Sequence, residues 1–151
     1  MAGTTFDETL DFAIAREKEA VAFYEDLRGL SRFSAQRELL GEFAAMERGH
    51  ATLLEGVKAS QDPGRLSKPV PADLRLDAFL VPSPPAADMT YQDILITAIA
   101  REKKSADLYR ALENDSGDDD LRDVFRRLTS EEENHKNFFE TLYERDISRD
   151  N

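Results

Sequence analysis

The chain has 151 residues, a formal net charge of −11 from 31 acidic and 20 basic side chains, and no cysteine. That length allows one domain with a core of its own, and the missing thiols exclude disulfides, thiolate metal sites and thiol catalysis. The acidic balance argues against nucleic acid, whose phosphates need a basic face, and no apolar run approaches the roughly 18 residues of a membrane span.

The opening residues carry no basic stretch followed by an apolar run, so no secretory signal is read there and a cytoplasmic location is expected. Thr5 followed by Glu8 is a capping-box signature, and it predicts a first helix over about residues 6–28. Gly29–Phe33 reads as a turn, with a second helix over about 34–59. All six prolines lie between Pro63 and Pro85, which marks residues 60–89 as a long connection and leaves both flanks free of helix breakers. Thr90 and Asp93 repeat the start signal for a third helix over about 91–113. Asn114–Gly117 breaks it, and a fourth helix is expected over about 118–146, its acidic first turn suited to the positive end of the helix dipole.

Apolar residues recur every three or four positions in each helix, the period of one buried face. The stripes are Phe6, Leu10, Ile14, Val21, Tyr24 and Leu27; Leu40, Phe43, Met46, Leu54 and Val57; Leu95, Ile99, Ala106, Tyr109 and Leu112; and Leu121, Phe125, Leu128, Phe139 and Leu142. Nothing alternates at period two over a useful length. The expected fold is therefore all-α: a single domain over residues 1–151, a four-helix bundle made of two helical hairpins joined by one long crossover and related by a pseudo-twofold axis. Leu74, Leu76, Phe79, Leu80 and Val81 would pack the crossover onto the bundle or into a partner chain.

The two flanks repeat at an offset of 85 residues. Residues 13–27 read AIAREKEAVAFYEDL and residues 98–112 read AIAREKKSADLYRAL, identical at eight of fifteen positions. Glu17, Tyr24, Glu47 and His50 recur as Glu102, Tyr109, Glu132 and His135, and the chain has no other histidine. Each of these residues falls inside an apolar stripe. Residues at i and i+3 share a helix face, so each Glu-x-x-His aims both side chains at one point. Glu131 and Glu133 neighbour Glu132 but lack that spacing. Arg16 and Arg101 also repeat, on a different face. Gly49 stands inside the first motif, where glycine is costly; a close helix approach, substrate access or plain packing would each account for it.

Four carboxylates and two imidazoles in one core are untenable without protons or cations. Two divalent ions would balance four carboxylates. Oxygen and imidazole donors suit iron or manganese, and zinc by ligand type, whereas two imidazoles suit calcium poorly. A phenol at Tyr24 or Tyr109 could hydrogen-bond a ligand carboxylate or take part in electron transfer, or could be a core tyrosine whose hydroxyl has found a partner.

The order E…Y…ExxH…E…Y…ExxH resembles the ferritin-like superfamily, and within it the rubrerythrin-like branch. The matching words are Ala15-Arg-Glu-Lys-Glu-Ala20, Met46-Glu-Arg-Gly-His50, Ala100-Arg-Glu-Lys-Lys-Ser105 and Glu131-Glu-Glu-Asn-His135. The resemblance implies a ferritin-like four-helix bundle holding two iron ions. Glu17, Glu47, Glu102 and Glu132 would be terminal or bridging carboxylates, and His50 and His135 one imidazole per metal. It implies an oxidoreductase that reduces hydrogen peroxide or O2 with electrons from an external donor, in a homodimer. Iron storage with ferroxidase activity, and a metal-stabilised bundle without turnover, are the alternatives. Two departures stand out. With no cysteine among these 151 residues, the cysteine-ligated rubredoxin-like domain of rubrerythrins is not expected in them. The extra glutamate that rubrerythrins carry three residues after the third-helix ligand is replaced by Ser105, with Ala20 at the equivalent place in the first half.

Overall fold

The computed structural model of the protein describes residues 4–71, 74–81 and 89–147. The described residues divide after Ala78 into two compact units, each built on one antiparallel pair of long helices. Among them are no strands, only an isolated bridge between Thr5 and Pro69. No described helix is long and apolar enough to cross a membrane.

In the first unit, α1 spans Phe6–Arg28 and α2 spans Arg37–Ser60. The capping box that starts α1 is closed in both directions. Glu8 N–H donates to Thr5 Oγ1 at 3.1 Å, and Thr5 N–H donates to the Glu8 carboxylate at 3.2 Å. These bonds satisfy donors that a helix start otherwise leaves bare. Between the helices a 3-10 turn, Ser31–Gln36, buries the Phe33 ring completely. The turn is thus longer than Gly29–Phe33, because the backbone leaves helical geometry at Phe33 to bring its ring inward. A one-turn helix α3, Pro63–Leu66, follows, with proline in its first turn and Asp62 accepting from Arg65 N–H at 2.8 Å. Just beyond it Phe6 N–H donates to Lys68 O and Val70 N–H to Thr4 O, both at 2.9 Å, which pins the early crossover to the start of α1.

In the second unit, α4 spans Tyr91–Asp115 and α5 spans Asp119–Asp146. Thr90 and Asp93 form the second capping box, and Asp118 accepts from the N–H groups of Asp120 and Leu121 to start α5. The open end of the pair is tied by Tyr91 Oη, which donates to Asp146 Oδ2 at 2.6 Å. Burial and this bond to Asp146 push the Tyr91 phenol up to about 12. The Arg145 guanidinium and then Tyr91 hold Asp146 down at about 2.

Each hairpin has its own apolar seam. Leu10, Ala13, Leu27, Leu40, Ala44 and Leu54 are fully buried in the first, as are Ile94, Leu95, Leu112, Phe125, Leu128 and Phe139 in the second. A fully buried Leu, Ile or Phe contributes roughly 1.5–3 kcal/mol, so these seams hold the helices as rigid mounts. Met46, read above as part of the second stripe, is 39% exposed. The face of α2 is centred on Phe43, Glu47, His50 and Leu54, and Met46 lies about 100° round from Glu47. In the crossover Leu74, Leu76, Phe79 and Val81 are half-buried and Leu80 is exposed within the single chain; residues 82–88 lie outside the described range.

Gly49 faces outward, and a Cβ built there meets nothing within 4 Å. No close helix approach requires this glycine. Gly49→Ala should therefore raise stability by about 0.5–1 kcal/mol, read as a higher urea midpoint with an unchanged slope. Tyr91→Phe should cost about 1 kcal/mol at neutral pH. Because the native Asp146 pKa is depressed, its contribution is present above the ordinary carboxylate range and lost as pH falls toward 2. The gap between Tyr91→Phe and the parent should thus close in acid, as measured by denaturation at pH 7 and pH 2.5.

Candidate metal centre

Glu17 is carried by α1 at the middle of its buried face, and Glu47 and His50 are carried one turn apart by α2. Their relative exposures are 2%, 0% and 4%, so all three polar groups are inside the protein. His50 Nδ1 lies 3.5 Å from a Glu17 oxygen and 3.6 Å from a Glu47 oxygen. One donor atom from each of the three can be chosen so that all lie within 4.8 Å of one another. The second unit repeats the arrangement with Glu102 on α4 and Glu132 and His135 on α5, exposed by 2%, 1% and 2%. His135 Nδ1 is 3.7 Å from a Glu102 oxygen, and this triad also offers donors within 4.8 Å of one another.

Burial sets the electrostatics of the first triad. Loss of solvent, followed by the Glu47 charge beside it, pushes the Glu17 carboxyl well above the usual carboxylate range. For His50 burial acts downward, but the Glu17 and Glu47 carboxylates beside it win and hold the imidazolium up to about 10. A proton is thus the counter-charge of last resort in this pocket of carboxylates. A divalent cation would replace it with a larger charge. Two hard carboxylates and one borderline imidazole per triad fit iron, manganese or zinc, and the absence of thiols removes the soft alternatives.

The neighbouring residues separate cleanly from the triads. Glu131 pairs with Arg127 at 3.1 Å and Glu133 pairs with Arg110, both on the outer surface, while Glu132 is buried. Arg16 is a rim residue, with its guanidinium 4.6 Å over the Phe12 ring and bonded to Glu19 at 3.0 Å. Tyr24 and Tyr109 are buried two turns beyond Glu17 and Glu102. The Tyr24 ring meets Phe43 edge-on at 5.7 Å, and the Tyr109 ring stacks on Phe125 at 6.4 Å. Apart from the six triad residues, the buried polar side chains among the described residues are Thr9 and Thr129. Each hydroxyl donates to the carbonyl four residues earlier, Thr5 and Phe125, a local use that single-sequence periodicity does not reveal. At the position of the missing extra carboxylate, Ala20 is buried and Ser105 half-buried.

A sequence profile described as rubrerythrin matches residues 8–143. Among solved structures, a crystal structure at 2.30 Å of a Thermotoga maritima protein, described as ferritin-like and diiron-carboxylate, is similar to this chain. It aligns with a TM-score of 0.78 at 20% identity, over 97% of this chain and 98% of that one. The likeness establishes the fold as ferritin-like and all-α. No curated protein matches the chain by sequence.

The first triad makes a direct prediction about protons. At pH 7 His50 is protonated in the metal-free protein, and a cation bound by this imidazole must displace that proton. Loading with Zn(II) should therefore release at least one proton per chain. Apparent affinity should rise about tenfold per pH unit for each proton displaced between pH 6 and 8. Calorimetric titration in buffers of different ionisation enthalpy measures both; a pH-independent affinity would contradict protonation of His50 in the metal-free protein.

Proposed function

The chain belongs to the rubrerythrin family, and on that premise we propose that its two buried triads are the halves of one di-metal centre within a single domain. The observation that carries this reading is the repetition itself: each hairpin buries two carboxylates and one imidazole, in the same register. Glu17, Glu47 and His50 would hold one side, and Glu102, Glu132 and His135 the other. Iron is the proposed metal, with manganese and zinc suited to the same donors. The proposed activity is reduction of hydrogen peroxide or dioxygen by a non-haem di-iron oxidoreductase, with electrons from an external donor. When bound, the metals supply the electrons and offset the negative charge that develops as the O–O bond is cleaved.

The chain's own contribution is positional. The helix seams fix the carboxylate carriers: buried Phe43 and Leu54 flank Glu47 and His50 along α2, and buried Phe125 and Phe139 flank Glu132 and His135 along α5. Glu17, Glu47, Glu102 and Glu132 would be able to adjust to a bound cation by side-chain torsions alone, without helix movement. Tyr24 and Tyr109 would steady a ligand carboxylate by hydrogen bonding. Ferroxidase activity coupled to iron binding is the second reading, and Ala20 and Ser105 favour it. Without a seventh carboxylate the centre is symmetric, and it lacks the group that rubrerythrins use in redox-linked movement of one iron.

Reduced, iron-loaded protein supplied with a chemical donor should consume peroxide through many turnovers. Tyr24→Phe and Tyr109→Phe should each slow it by about tenfold, a loss of about 1.4 kcal/mol, at unchanged iron content. A single stoichiometric oxidation followed by retention of many irons per chain would replace the peroxidase reading by storage. Bound metal with no reaction toward either oxidant would leave a structural bundle.

A further inference from the structure

The repeat that aligns the metal-ligating residues also aligns the outer faces of the two hairpins, and there the charges are inverted. Glu25 and Arg48 face each other across α1 and α2, with a guanidinium nitrogen 3.2 Å from a carboxylate oxygen. At the same offset of 85 stand Arg110 and Glu133, which form an ion pair across α4 and α5. The acid and the base have exchanged helices. A second position pair close by behaves alike. In the first hairpin the Arg28 guanidinium lies over Gly41, so near that a Cβ on Gly41 would stand 3.2 Å from Arg28 Nε. In the second hairpin the equivalent residues are Glu113 and Arg126, bonded at 3.0 Å. Where the first half has a base opposite a gap, the second has an acid opposite a base.

We propose that these inverted pairs are a pairing code that makes the two hairpins non-interchangeable and directs α1 to α2 and α4 to α5. Two hairpins with the same buried triad, and with first helices that share a buried stripe (Leu10 and Leu95, Ala13 and Ala98, Leu27 and Leu112), have an intrinsic ambiguity. In a misfold in which α5 took the place of α2 beside α1, an apolar stripe would still meet an apolar stripe, with Phe125 and Phe139 where Leu40 and Leu54 stand. The charges would not: Glu25 would face Glu133, and Arg28 would face Arg126. In the complementary error, Arg48 would face Arg110, and Glu113 would face Gly41. Three of the four contacts become like-charge pairs and the fourth is lost. An exposed ion pair shifts an equilibrium by only roughly twofold to fivefold, but replacing attraction by repulsion at several positions together gives a preference of roughly tenfold or more.

Location supports a role in choosing partners. Arg28, Gly41, Glu113 and Arg126 lie toward the turn end of each hairpin, and the Glu25–Arg48 and Arg110–Glu133 pairs lie further in, reaching the middle of α2 and α5. Contacts of short sequence separation form before distant ones, so pairing is selected from the turn end first. Away from the turns the polarity is not inverted. Lys18 pairs with Glu55 at 3.4 Å, and the equivalent residues are again Lys103 and Glu140.

The test uses the full chain, which has no cysteine of its own. Lys18→Cys and Glu55→Cys place one thiol on each helix of the first hairpin, where a short thiol-to-thiol cross-linker reports α1–α2 pairing after dilute refolding. Into this background go Glu25→Arg, Arg28→Glu, Gly41→Arg and Arg48→Glu, which give the first hairpin the polarity of the second and leave every native contact complementary. The cross-linked fraction should fall at least twofold. Adding Arg110→Glu, Glu113→Arg, Arg126→Gly and Glu133→Arg inverts the second hairpin as well and should restore the original fraction. An undiminished yield in the first variant overturns the code. So does a diminished yield that the second set fails to rescue, since that is the signature of a simple loss of folding.

Discussion

Two carboxylates and an imidazole buried within 4.8 Å of one another form the most demanding contact in each hairpin, because a medium that solvates neither charge must hold both. Several features of the fold answer that demand. Long, doubly capped helices fix the backbone under Glu17 and Glu102. The apolar residues around the triads keep water away. The upward displacement of both Glu17 and His50 shows where the tension lies: burial and the neighbouring Glu47 favour a proton on Glu17, and the two carboxylates favour one on His50. A divalent cation relieves the same tension more completely, and this links the folding problem to the chemistry.

The two hairpins solve similar problems with different residues. Beside the open end of the first, Lys58 bridges to Asp7 at 3.4 Å; at the equivalent positions of the second, Gln92 donates to the Tyr143 hydroxyl at 3.3 Å. A charged contact has become a neutral one at the same place. The buried triads keep their chemistry while the surface contacts around them change theirs, and near the turns that change takes the specific form of charge inversion. Like triads beneath unlike surface contacts suit a chain whose two hairpins must each pair in only one way.

Much of this was legible in the sequence, for identifiable reasons. Helical periodicity and capping signals are local, so Thr5 with Glu8 and Thr90 with Asp93 announce the helix starts directly. The triads were readable because charged residues at i and i+3 inside an apolar stripe have no ordinary explanation. Met46 was misread because a methionine adjoining a true core face satisfies the same loose periodicity. The exposure of Leu80 depends on the crossover's path, and the length of the turn on how Phe33 packs; neither is encoded locally. The buried hydroxyls of Thr9 and Thr129 escaped notice because a bond to the preceding turn leaves no pattern. The inverted ion pairs were visible in the repeat, yet they acquire meaning only once the helices are known to face each other.

The central claim is that six buried residues form one centre for two metals. Anaerobic titration of metal-free protein with Fe(II), followed by desalting and elemental analysis, tests it most directly. About two irons should remain per chain in the parent, with loss of both in Glu47→Ala or Glu132→Ala. Less than half an iron per chain in the parent, or undiminished iron in those variants, would contradict the account.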